Sequence, residues 1–433
     1  MKCSKQNFIS RTKIICLPAY VLFFIMIVSL LSAQNRNAMG IIVGGARPPD
    51  MPVIAGKPLP TWQPAGNQKP AFEGQTKAPA VITKTKFKVE VITDRLHHPW
   101  SIAFLPDGRM FITEKRGTLR IVSPLGLVSD TLRGLPKVYF RGDGGLLDIV
   151  LDPDFAANRT FYIAYVEQRS NGNGISVASA ILSYDEFGVS GVKVIFRVEP
   201  DYPNWAHYGS RLLFDKDGTL FVSTGERTDA GIRVQAQWLS SHLGKLLRIN
   251  KDGSPAKGNP SFPDSANARP EVYAYGFRNG QALTFNPETG DLWEMEHGPQ
   301  GGDEINIVKP GKNYGWPVIA YGTEYSGNLI NGGKSAQDGM EQPIYYWNSA
   351  IAPSGATFYT GTLIPEWKGN LFAAALAGQH LSRLVIKNNK VVGEERLLPD
   401  QHQRMRDVKQ APDGSLWVIT DADNGRLIRI GPR

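Results

Sequence analysis

One histidine and one glutamate stand at the two ends of a short predicted hairpin. His207 lies in the run Asn-Trp-Ala-His-Tyr-Gly just before the first strand, and Glu226 lies in Gly-Glu-Arg just after the second. Because both ends of a hairpin reach the same rim of a sheet, the imidazole and the carboxylate can meet there. Such a pair is suited to general-base catalysis. The alternative interpretation is a surface histidine beside a structural Glu–Arg pair.

Cationic and aromatic residues predicted near the same rim favour the catalytic interpretation. Arg278 and Asn279 are expected at the end of one inner strand, and Trp347 at the end of another. Arg404 and Arg406 are two residues apart in a third inner strand, so their side chains point to the same side. Two guanidinium groups in that arrangement suit a carboxylate-bearing ligand.

The most unusual stretch of the chain is rich in glycine and carries several carboxylates. It reads EMEHGPQGGDEIN over residues 294–306 and continues as KNYGWP over residues 312–317. Exposed carbonyls together with Asp303 and Glu304 offer hard oxygen ligands, which suit Ca²⁺ better than zinc or copper. The spacing is not that of an EF-hand, so a metal site here would be irregular.

Several other site chemistries are excluded by what the sequence lacks. The chain has no G-x-G-x-x-G, H-E-x-x-H or G-x-S-x-G signature, and the P-loop-like residues 333–335 follow Asn328 where a P-loop has glycine. Both cysteines, Cys3 and Cys16, lie in the N-terminal leader. The rest of the chain therefore has no disulfide, thiolate nucleophile or Cys-ligated metal.

The net charge of +8 does not indicate a nucleic-acid partner. Four of the 48 Lys and Arg residues lie in the leader, which leaves 44 against 40 Asp and Glu without a long basic run. Residues 1–33 join a basic start to an apolar run and predict a signal peptide or an uncleaved N-terminal anchor. The body is expected to be exported, periplasmic or secreted, and to meet a membrane only through this segment.

Two further regions follow the leader. Residues 34–85 are rich in proline and predict a linker, either a free tether or a segment wrapped on the domain surface. Residues 86–433 are predicted to form the catalytic domain, a region of short alternating strands separated by Asp-Gly and similar turns.

Within this domain one hairpin plan recurs six times. Each copy has a strand, a turn of the Pro-Asp-Gly type and a second strand, with no helical period competing for long. The copies occupy residues 102–122, 147–168, 212–227, 283–298, 369–386 and 408–430. Such repetition predicts an all-β fold, a six-bladed β-propeller of four-stranded antiparallel blades. A β-sandwich is the alternative, but it does not require the same hairpin six times.

Taken in order, these segments resemble one family, the soluble pyrroloquinoline quinone (PQQ)-dependent aldose sugar dehydrogenases of the glucose/sorbosone dehydrogenase type. The resemblance runs from about Phe87 to Ile430. The motifs that carry it are LHHPWSIAFLPDGRMFITEKRGTLRIV, GGLLDIVLDPDF, HYGSRLLFDKDGTLFVSTGER, LGKLLRINKDGS, YAYGFRNGQALTF, EHGPQGGDEINIVKPGKNYGWP, YYWNSAIAPSGATFY and RMRDV. It implies a six-bladed propeller that oxidises the anomeric carbon of an aldose to a lactone and passes electrons from PQQ to an external acceptor.

The resemblance also implies roles for individual residues. His207 takes the position of the catalytic base and Glu226 that of the acid that orients it. The implied cofactor-binding residues are Asp143, Arg278, Asn279, Gln281, Tyr325, Trp347, Arg404 and Arg406. The implied calcium ligands are the carbonyls of Gly298 and Pro299 at a catalytic site, and Glu304 with the Tyr314 carbonyl at a second, structural site.

The chain departs from the family pattern at three places. Asp143 replaces the usual glutamine, which exchanges an amide donor for an acceptor-only anion. Gly280 replaces a proline in the Arg-Asn-Pro-Gln-Gly element, and residues 377–379 carry no lysine where some members have one. A propeller without a quinone, serving as a lactone hydrolase or a sugar-binding module, is the alternative function.

Overall fold

The computed structural model describes residues 51–61, 66–263 and 265–432. The predicted leader, residues 1–33, and the first part of the predicted linker lie outside the described residues.

The described chain forms six antiparallel sheets arranged as the blades of a propeller, which confirms the predicted fold. The chain starts with β1 (Phe87–Leu96) and continues into blade 1, which contains β2 (Pro99–Phe104), β3 (Met110–Glu114) and β4 (Thr118–Val122). Blade 2 contains β5 (Leu146–Leu151), β6 (Thr160–Arg169), β7 (Gly172–Leu182) and β8 (Val189–Arg197). Blade 3 contains β9 (Gly209–Phe214), β10 (Leu220–Thr224), β11 (Lys245–Ile249) and β12 (Val272–Tyr275).

The second half of the ring follows the same plan. Blade 4 contains β13 (Gly280–Phe285), β14 (Leu292–Glu296), β15 (Asp303–Val308) and β16 (Tyr345–Trp347). Blade 5 contains β17 (Pro353–Phe358), β18 (Leu371–Ala375), β19 (His380–Lys387) and β20 (Lys390–Leu397). Blade 6 contains β21 (Met405–Gln410), β22 (Leu416–Thr420) and β23 (Gly425–Pro432), with β1 as its outer strand.

Helices are short and lie between strands. The described ranges contain two α-helical turns, α1 (Phe155–Asn158) and α2 (Ala230–Arg233). They also contain 3₁₀ turns at Val234–Gln237, Ile330–Gly333, Pro365–Trp367 and Pro399–Gln401.

The repeated turn has a simple conformational cause. Gly108, Gly218 and Gly414, which follow the aspartates of three copies, have φ values of 84°, 81° and 84°. These values lie in the left-handed region, which glycine adopts at little cost because it has no Cβ. The turn residues therefore fix where each inner hairpin reverses.

The first strand of each blade lines the central channel. These six inner strands, β2, β5, β9, β13, β17 and β21, contact one another around the ring. Since each begins its blade in the same way, the residues just before them gather at one face of the propeller. That face carries the candidate site.

Hydrophobic clusters fill the space between every pair of neighbouring blades. On β10, Phe221 joins the cluster shared with blade 4, while Leu220 and Val222 join the cluster shared with blade 2. Successive side chains of a strand point to opposite faces of its sheet. The middle strands are therefore apolar on both faces, because both faces are buried.

The two ends of the described domain close the ring. Strand β1 pairs antiparallel with β23, from Phe87 opposite Pro432 to Leu96 opposite Gly425. One detail differs from the predicted plan: blade 1 has three strands, with a single bridge between Val122 and Val128 beside its outer edge.

Part of the Pro-rich segment packs against blade 5 and the outer edge of blade 4. The Val81 amide donates to the Glu394 carbonyl at 3.0 Å, and the Thr83 hydroxyl donates to the Glu395 carboxylate at 2.6 Å. The Gln75 side chain is buried and donates to the Pro343 carbonyl at 2.8 Å. This part of the segment lies on the propeller surface, and the boundary between linker and domain at residue 85 stays a prediction. In the described ranges, no helix is both long enough and apolar enough to span a membrane.

Candidate active site

The structure brings His207 and Glu226 together at the site face. His207 Nδ1 lies 3.0 Å from Glu226 Oε1, and both side chains are buried. The Asp143 carboxylate accepts the His207 backbone N–H at 3.1 Å, and the Thr228 amide donates to the other Glu226 oxygen. With Nδ1 held by the carboxylate, Nε2 is the nitrogen left to accept a proton.

Two glycines allow this close approach. A Cβ on Gly225 would lie 2.1 Å from the His207 carbonyl oxygen, and one on Gly209 would lie 2.8 Å from the Thr224 backbone. The ends of β9 and β10 can therefore pack more tightly than side-chain-bearing residues allow. His207 itself has a φ of 49°, an uncommon value for a residue with a Cβ.

The carboxylate of Glu226 is held in its ionised form. Burial pushes its pKa upward, but the charge that His207 carries when protonated, the His207 hydrogen bond, the charge of Arg278 and the Thr228 amide outweigh burial and lower it. An ionised carboxylate can fix the imidazole tautomer and stabilise the imidazolium once it forms.

Arg278 and Asn279 lie next to this pair, directly before β13. Arg278 Nη1 donates to the Gly298 carbonyl at 2.6 Å, and its Nε lies 4.0 Å from Glu226 Oε1. Asn279 Oδ1 accepts from the Gly209 amide at 2.9 Å and from Gln281 Nε2 at 3.1 Å. Asn279 thereby joins the start of β9 to the start of β13.

Arg404 directly precedes β21, Arg406 is the second residue of that strand, and the two share one carboxylate. Asp421 Oδ2 is 3.1 Å from Arg406 Nη2 and 3.7 Å from Arg404 Nε. Arg406 Nη1 reaches Gln281 Oε1 at 3.5 Å, while the Arg404 side chain is 48% exposed. Burial lowers the Arg406 pKa more than Asp421 raises it. The Arg406 guanidinium is thus the more enclosed of the two.

The two aromatic residues predicted near the cofactor lie on an outer strand and in an exposed connection. The prediction that Trp347 ends an inner strand is wrong, because β16 is the outer strand of blade 4. Its indole N–H donates to Glu394 at 2.9 Å, and its ring belongs to the cluster between blades 4 and 5. An apolar triplet such as Tyr-Tyr-Trp predicts a strand but not the position of that strand in its blade. Tyr325 is 74% exposed in the connection before β16.

Three carboxyl groups lie on one face of blade 4, near the predicted calcium ligands. Glu294 and Glu296 are two residues apart on β14, and Glu296 pairs across the strands with Glu304. A small cavity beside them is lined by Gly298, Pro299, Glu304 and Tyr314, among others. Burial and then the charge of Glu296 raise the pKa of Glu304 well above its ordinary value, and burial raises that of Glu296 to about 7. Close, buried carboxyls of this kind destabilise one another's ionised forms.

The donor set suits a hard cation at Glu304 better than at Gly298. One oxygen of Glu294 is buried with no hydrogen-bond partner among the described residues, whereas the Gly298 carbonyl already accepts from Arg278. Asp303 organises the loop: its oxygens accept from the Gly298, Ile351 and Ala352 amides at 2.7–2.8 Å. In the described ranges, no group of three or more His, Cys, Asp or Glu side chains is arranged to hold a metal.

Sequence reasoning missed three residues of this face. Asp421, Glu296 and Lys115 all contact or face the predicted site residues. The alternation of Glu294 and Glu296 on a predicted strand was a signal for the second of these. Asp421 and Lys115 had no local signal, because their partners come from other strands.

The propeller fold and its similarity to known proteins define the class of this enzyme, a sugar dehydrogenase among the oxidoreductases. The chain belongs to the glucose/sorbosone dehydrogenase family, whose profile matches residues 96–429. This confirms the predicted family and the predicted enzyme class.

Individual relatives agree with this assignment. The chain is 42% identical over 359 residues to aldose sugar dehydrogenase YliI of Escherichia coli strain K12, which covers 82% of this chain and 94% of that protein. It is similar to the crystal structure of the soluble aldose sugar dehydrogenase from Escherichia coli in the apo-form, with a TM-score of 0.77, 40% identity, and 80% and 100% of the two chains covered. The PQQ-bound aldose sugar dehydrogenase from Streptomyces coelicolor gives a TM-score of 0.65 at 28% identity, with 81% and 99% covered.

Proposed function

We propose that this protein oxidises aldose sugars at the anomeric carbon to lactones, using PQQ as its resident oxidant and His207 as general base. The observation that carries the proposal is the buried His207–Glu226 pair, with 3.0 Å between Nδ1 and Oε1, at the same face as the Arg404–Arg406 pair. An external acceptor would reoxidise the cofactor.

The residues at this face fit a planar, carboxylate-bearing cofactor. Arg406 Nε, Arg278 Nε and Ser210 Oγ are buried and lack hydrogen-bond partners within the described ranges. Buried donors are rarely left unpaired in a native protein, so a ligand that accepts hydrogen bonds suits them. Arg404 and Arg406 would hold a carboxylate, while Asn279, Gln281 and Asp143 would line the ring. When bound, PQQ supplies a two-electron acceptor for the hydrogen of the anomeric carbon.

Residues of the chain itself would remove the proton of the anomeric hydroxyl and stabilise the resulting charge. His207 Nε2 would accept it as the C–H bond breaks, which is the work of a general base. Glu226 would then stabilise the imidazolium at Nδ1. Asp143, through its hydrogen bond to the His207 amide, would hold the backbone that positions the ring.

Calcium is part of the proposal at two places. Glu304 and the Tyr314 carbonyl would hold a cation that neutralises the cluster on blade 4. The Gly298 and Pro299 carbonyls would hold a second one only if Arg278 yields the Gly298 oxygen. A bound Ca²⁺ supplies Lewis-acid polarisation there. Export through the leader belongs to the same proposal.

Reconstitution of the purified protein tests the function directly. Adding PQQ and Ca²⁺ to the metal-free, cofactor-free protein should produce a quinone absorbance band that glucose bleaches, and a sugar panel then gives the preference. A protein with neither the band nor bleaching, but with lactone hydrolysis or sugar binding, would support the quinone-free alternative. The matched control omits PQQ and should show no bleaching.

A further inference from the structure

Lys115 lies in the β3–β4 turn of blade 1 and has none of the roles described above. Its Nζ donates to the Gly142 carbonyl at 2.9 Å, and its backbone amide donates to the His98 carbonyl at 3.1 Å. Its own carbonyl accepts from the Leu146 amide at 3.0 Å. These bonds hold the partly buried side chain across the site face, between two groups of site residues.

One group is the Arg404–Arg406 pair. His98, which is hydrogen-bonded to the Lys115 backbone, places its Nδ1 2.7 Å from Asp421 Oδ1. The other oxygen of Asp421 serves both arginines. The second group is the catalytic pair, because the residue after Gly142 is Asp143, which binds the His207 amide. Lys115 therefore connects the Arg404–Arg406 pair, the proposed cofactor clamp, with His207, the proposed base.

The charges around this ammonium are unbalanced. Burial, followed by the charges of Arg406 and Arg404, lowers the Lys115 pKa, and the charges of Asp421 and Asp143 only partly oppose them. Asp421 is already shared between both arginines, and Asp143 is engaged with His207. Lys115 and the two arginines therefore face one region in which both carboxylates already have partners. This excess of positive charge favours a bound anion there.

A second observation points to a ligand in the same place. Arg406 Nε is buried and has no hydrogen-bond partner among the residues the structure describes, although its Nη atoms have theirs. The clamp therefore keeps a charged donor that Asp421 does not satisfy. An anionic ligand with more than one carboxylate could engage this donor and a neighbouring ammonium together.

We propose that Lys115 is the third cation of the clamp and binds a carboxylate of PQQ together with Arg404 and Arg406. The proposal rests on the function proposed above and adds to it a binding residue from blade 1. The Lys115 ammonium also offsets the negative charge of Asp143, because it binds the carbonyl of the preceding residue, Gly142.

Equilibrium titration of the cofactor-free protein with PQQ, followed by quenching of tryptophan fluorescence, tests this without turnover. Lys115→Met should weaken PQQ binding about 10- to 100-fold, the range for a charge-assisted hydrogen bond. Lys115→Arg should stay within a few-fold of the parent. Arg116→Met is the matched control, because Arg116 is the adjacent residue, 52% exposed, and pairs with Asp423; it should bind as the parent does. Added NaCl should reduce the difference in PQQ affinity between the parent and Lys115→Met, because salt screens the charge of the ammonium.

The outcomes separate the two proposals. A parent that binds no PQQ overturns the proposed function and this inference with it. A parent that binds PQQ while Lys115→Met binds equally well overturns the inference alone. Equal weakening in Lys115→Met and Lys115→Arg, with little effect of salt, would assign Lys115 to the support of Gly142 and also overturn it. Melting temperatures of all variants show whether each is folded.

Discussion

At the scale of single residues, the proposed chemistry depends most directly on His207. The imidazole is buried, is tied to an ionised carboxylate and takes its backbone position from Asp143. A histidine that only filled the rim would not need this orientation. The expected signature of the base is therefore a loss of rate without a loss of cofactor binding.

His207→Asn should lower kcat about 10²- to 10⁴-fold, the usual contribution of a general base, while PQQ still binds. The measurement is turnover per PQQ-loaded protein. His97→Asn makes the same change at an exposed histidine that bonds the Asp423 carbonyl, and should leave kcat unchanged. A His207→Asn turnover within a few-fold of the parent would reject the mechanism.

The two arginines of the clamp should contribute unequally. Arg406 is enclosed, with 8% of its side chain exposed, and Arg404 is 48% exposed. Solvent screens an exposed pair, so Arg406→Ala should weaken PQQ binding about 10- to 100-fold and Arg404→Ala by clearly less. Titration of both variants with PQQ gives the comparison. The opposite order would move the carboxylate toward the outer arginine.

The residue types of the site were predictable, but several of their partners were not. His207, Glu226 and the Arg-x-Arg pair stand in recognisable local motifs, and the structure brings each into a shared contact at one face. Asp421, the partner of both arginines, directly follows β22, the strand next to β21. Trp347 lies on the outer strand of blade 4, not on an inner one, and the order of the strands within a blade has no local sequence signal.

At the scale of elements, the proposed calcium site depends on the β14–β15 connection. Asp303 fixes the loop through three backbone amides, and the neighbouring carboxyls on β14 and β15 repel one another. We expect Ca²⁺ to stabilise the protein by about 2.7 kcal/mol at a hundredfold excess over its Kd. Thermal unfolding with Ca²⁺ and with chelator measures this.

A substitution identifies the ligand. Glu304→Gln removes the carboxylate and should leave the melting temperature insensitive to Ca²⁺, whereas Glu341→Gln, at a surface pair with Lys312, should keep the response. An unchanged Ca²⁺ response in Glu304→Gln would place the cation elsewhere.

Strand β19 carries a histidine that should make stability depend on pH. His380 is buried, its Nδ1 bonds the Gly378 carbonyl at 2.8 Å, and burial lowers its pKa to about 3. The unfolded chain binds a proton below pH 6.5 and the folded one does not, so stability is complete above pH 6.5 and falls as pH drops toward 3. The slope is about 1.4 kcal/mol per pH unit for one proton.

Urea unfolding between pH 4 and pH 8 measures this dependence. His380→Gln should reduce the slope between pH 6 and pH 4 by about one proton's worth, whatever its effect on absolute stability. His402→Gln offers a control in the connection before β21, where the side chain is exposed. A slope unchanged by His380→Gln would mean that this histidine titrates normally in the folded state.

The strands and turns themselves were more predictable than the contacts between them. The Asp-Gly turns predict where each hairpin reverses, and their glycines have the left-handed φ that this requires. The three-stranded edge of blade 1 and the contacts of residues 66–85 depend on surfaces made by distant segments. No local pattern encodes those surfaces.

At the scale of the whole molecule, two devices hold the ring together. The first is the pairing of β1 with β23, which joins the start of the domain to its end. The second is a polar network across the channel, centred on Arg211 of β9. Its Nη1 is 3.2 Å from Asp148 in blade 2, its Nη2 is 3.4 Å from Asp407 in blade 6, and its Nε donates to the Gln281 carbonyl in blade 4 at 2.6 Å.

Blade 1 joins the same network. The Ser101 hydroxyl donates to Asp148 at 2.5 Å, and the Ile102 amide donates to Asp407 at 3.1 Å. The Trp100 ring lies 4.1 Å from the Arg211 guanidinium. One buried cation therefore links four other blades to its own, just inside the face that carries the site.

Removing that cation should destabilise the propeller as a unit. Arg211→Met keeps the apolar stem but leaves Asp148 and Asp407 buried without their partner, which costs about 3–5 kcal/mol in comparable cases. Arg197→Met breaks a surface pair in which the arginine is 50% exposed, and should cost about 1 kcal/mol or less. Urea unfolding of both variants, with and without PQQ, compares them. Because the network connects blades, the Arg211→Met transition should shift in one step for probes in different blades. A loss no larger than that of Arg197→Met would show that β1 and the hydrophobic clusters between blades hold the ring without it.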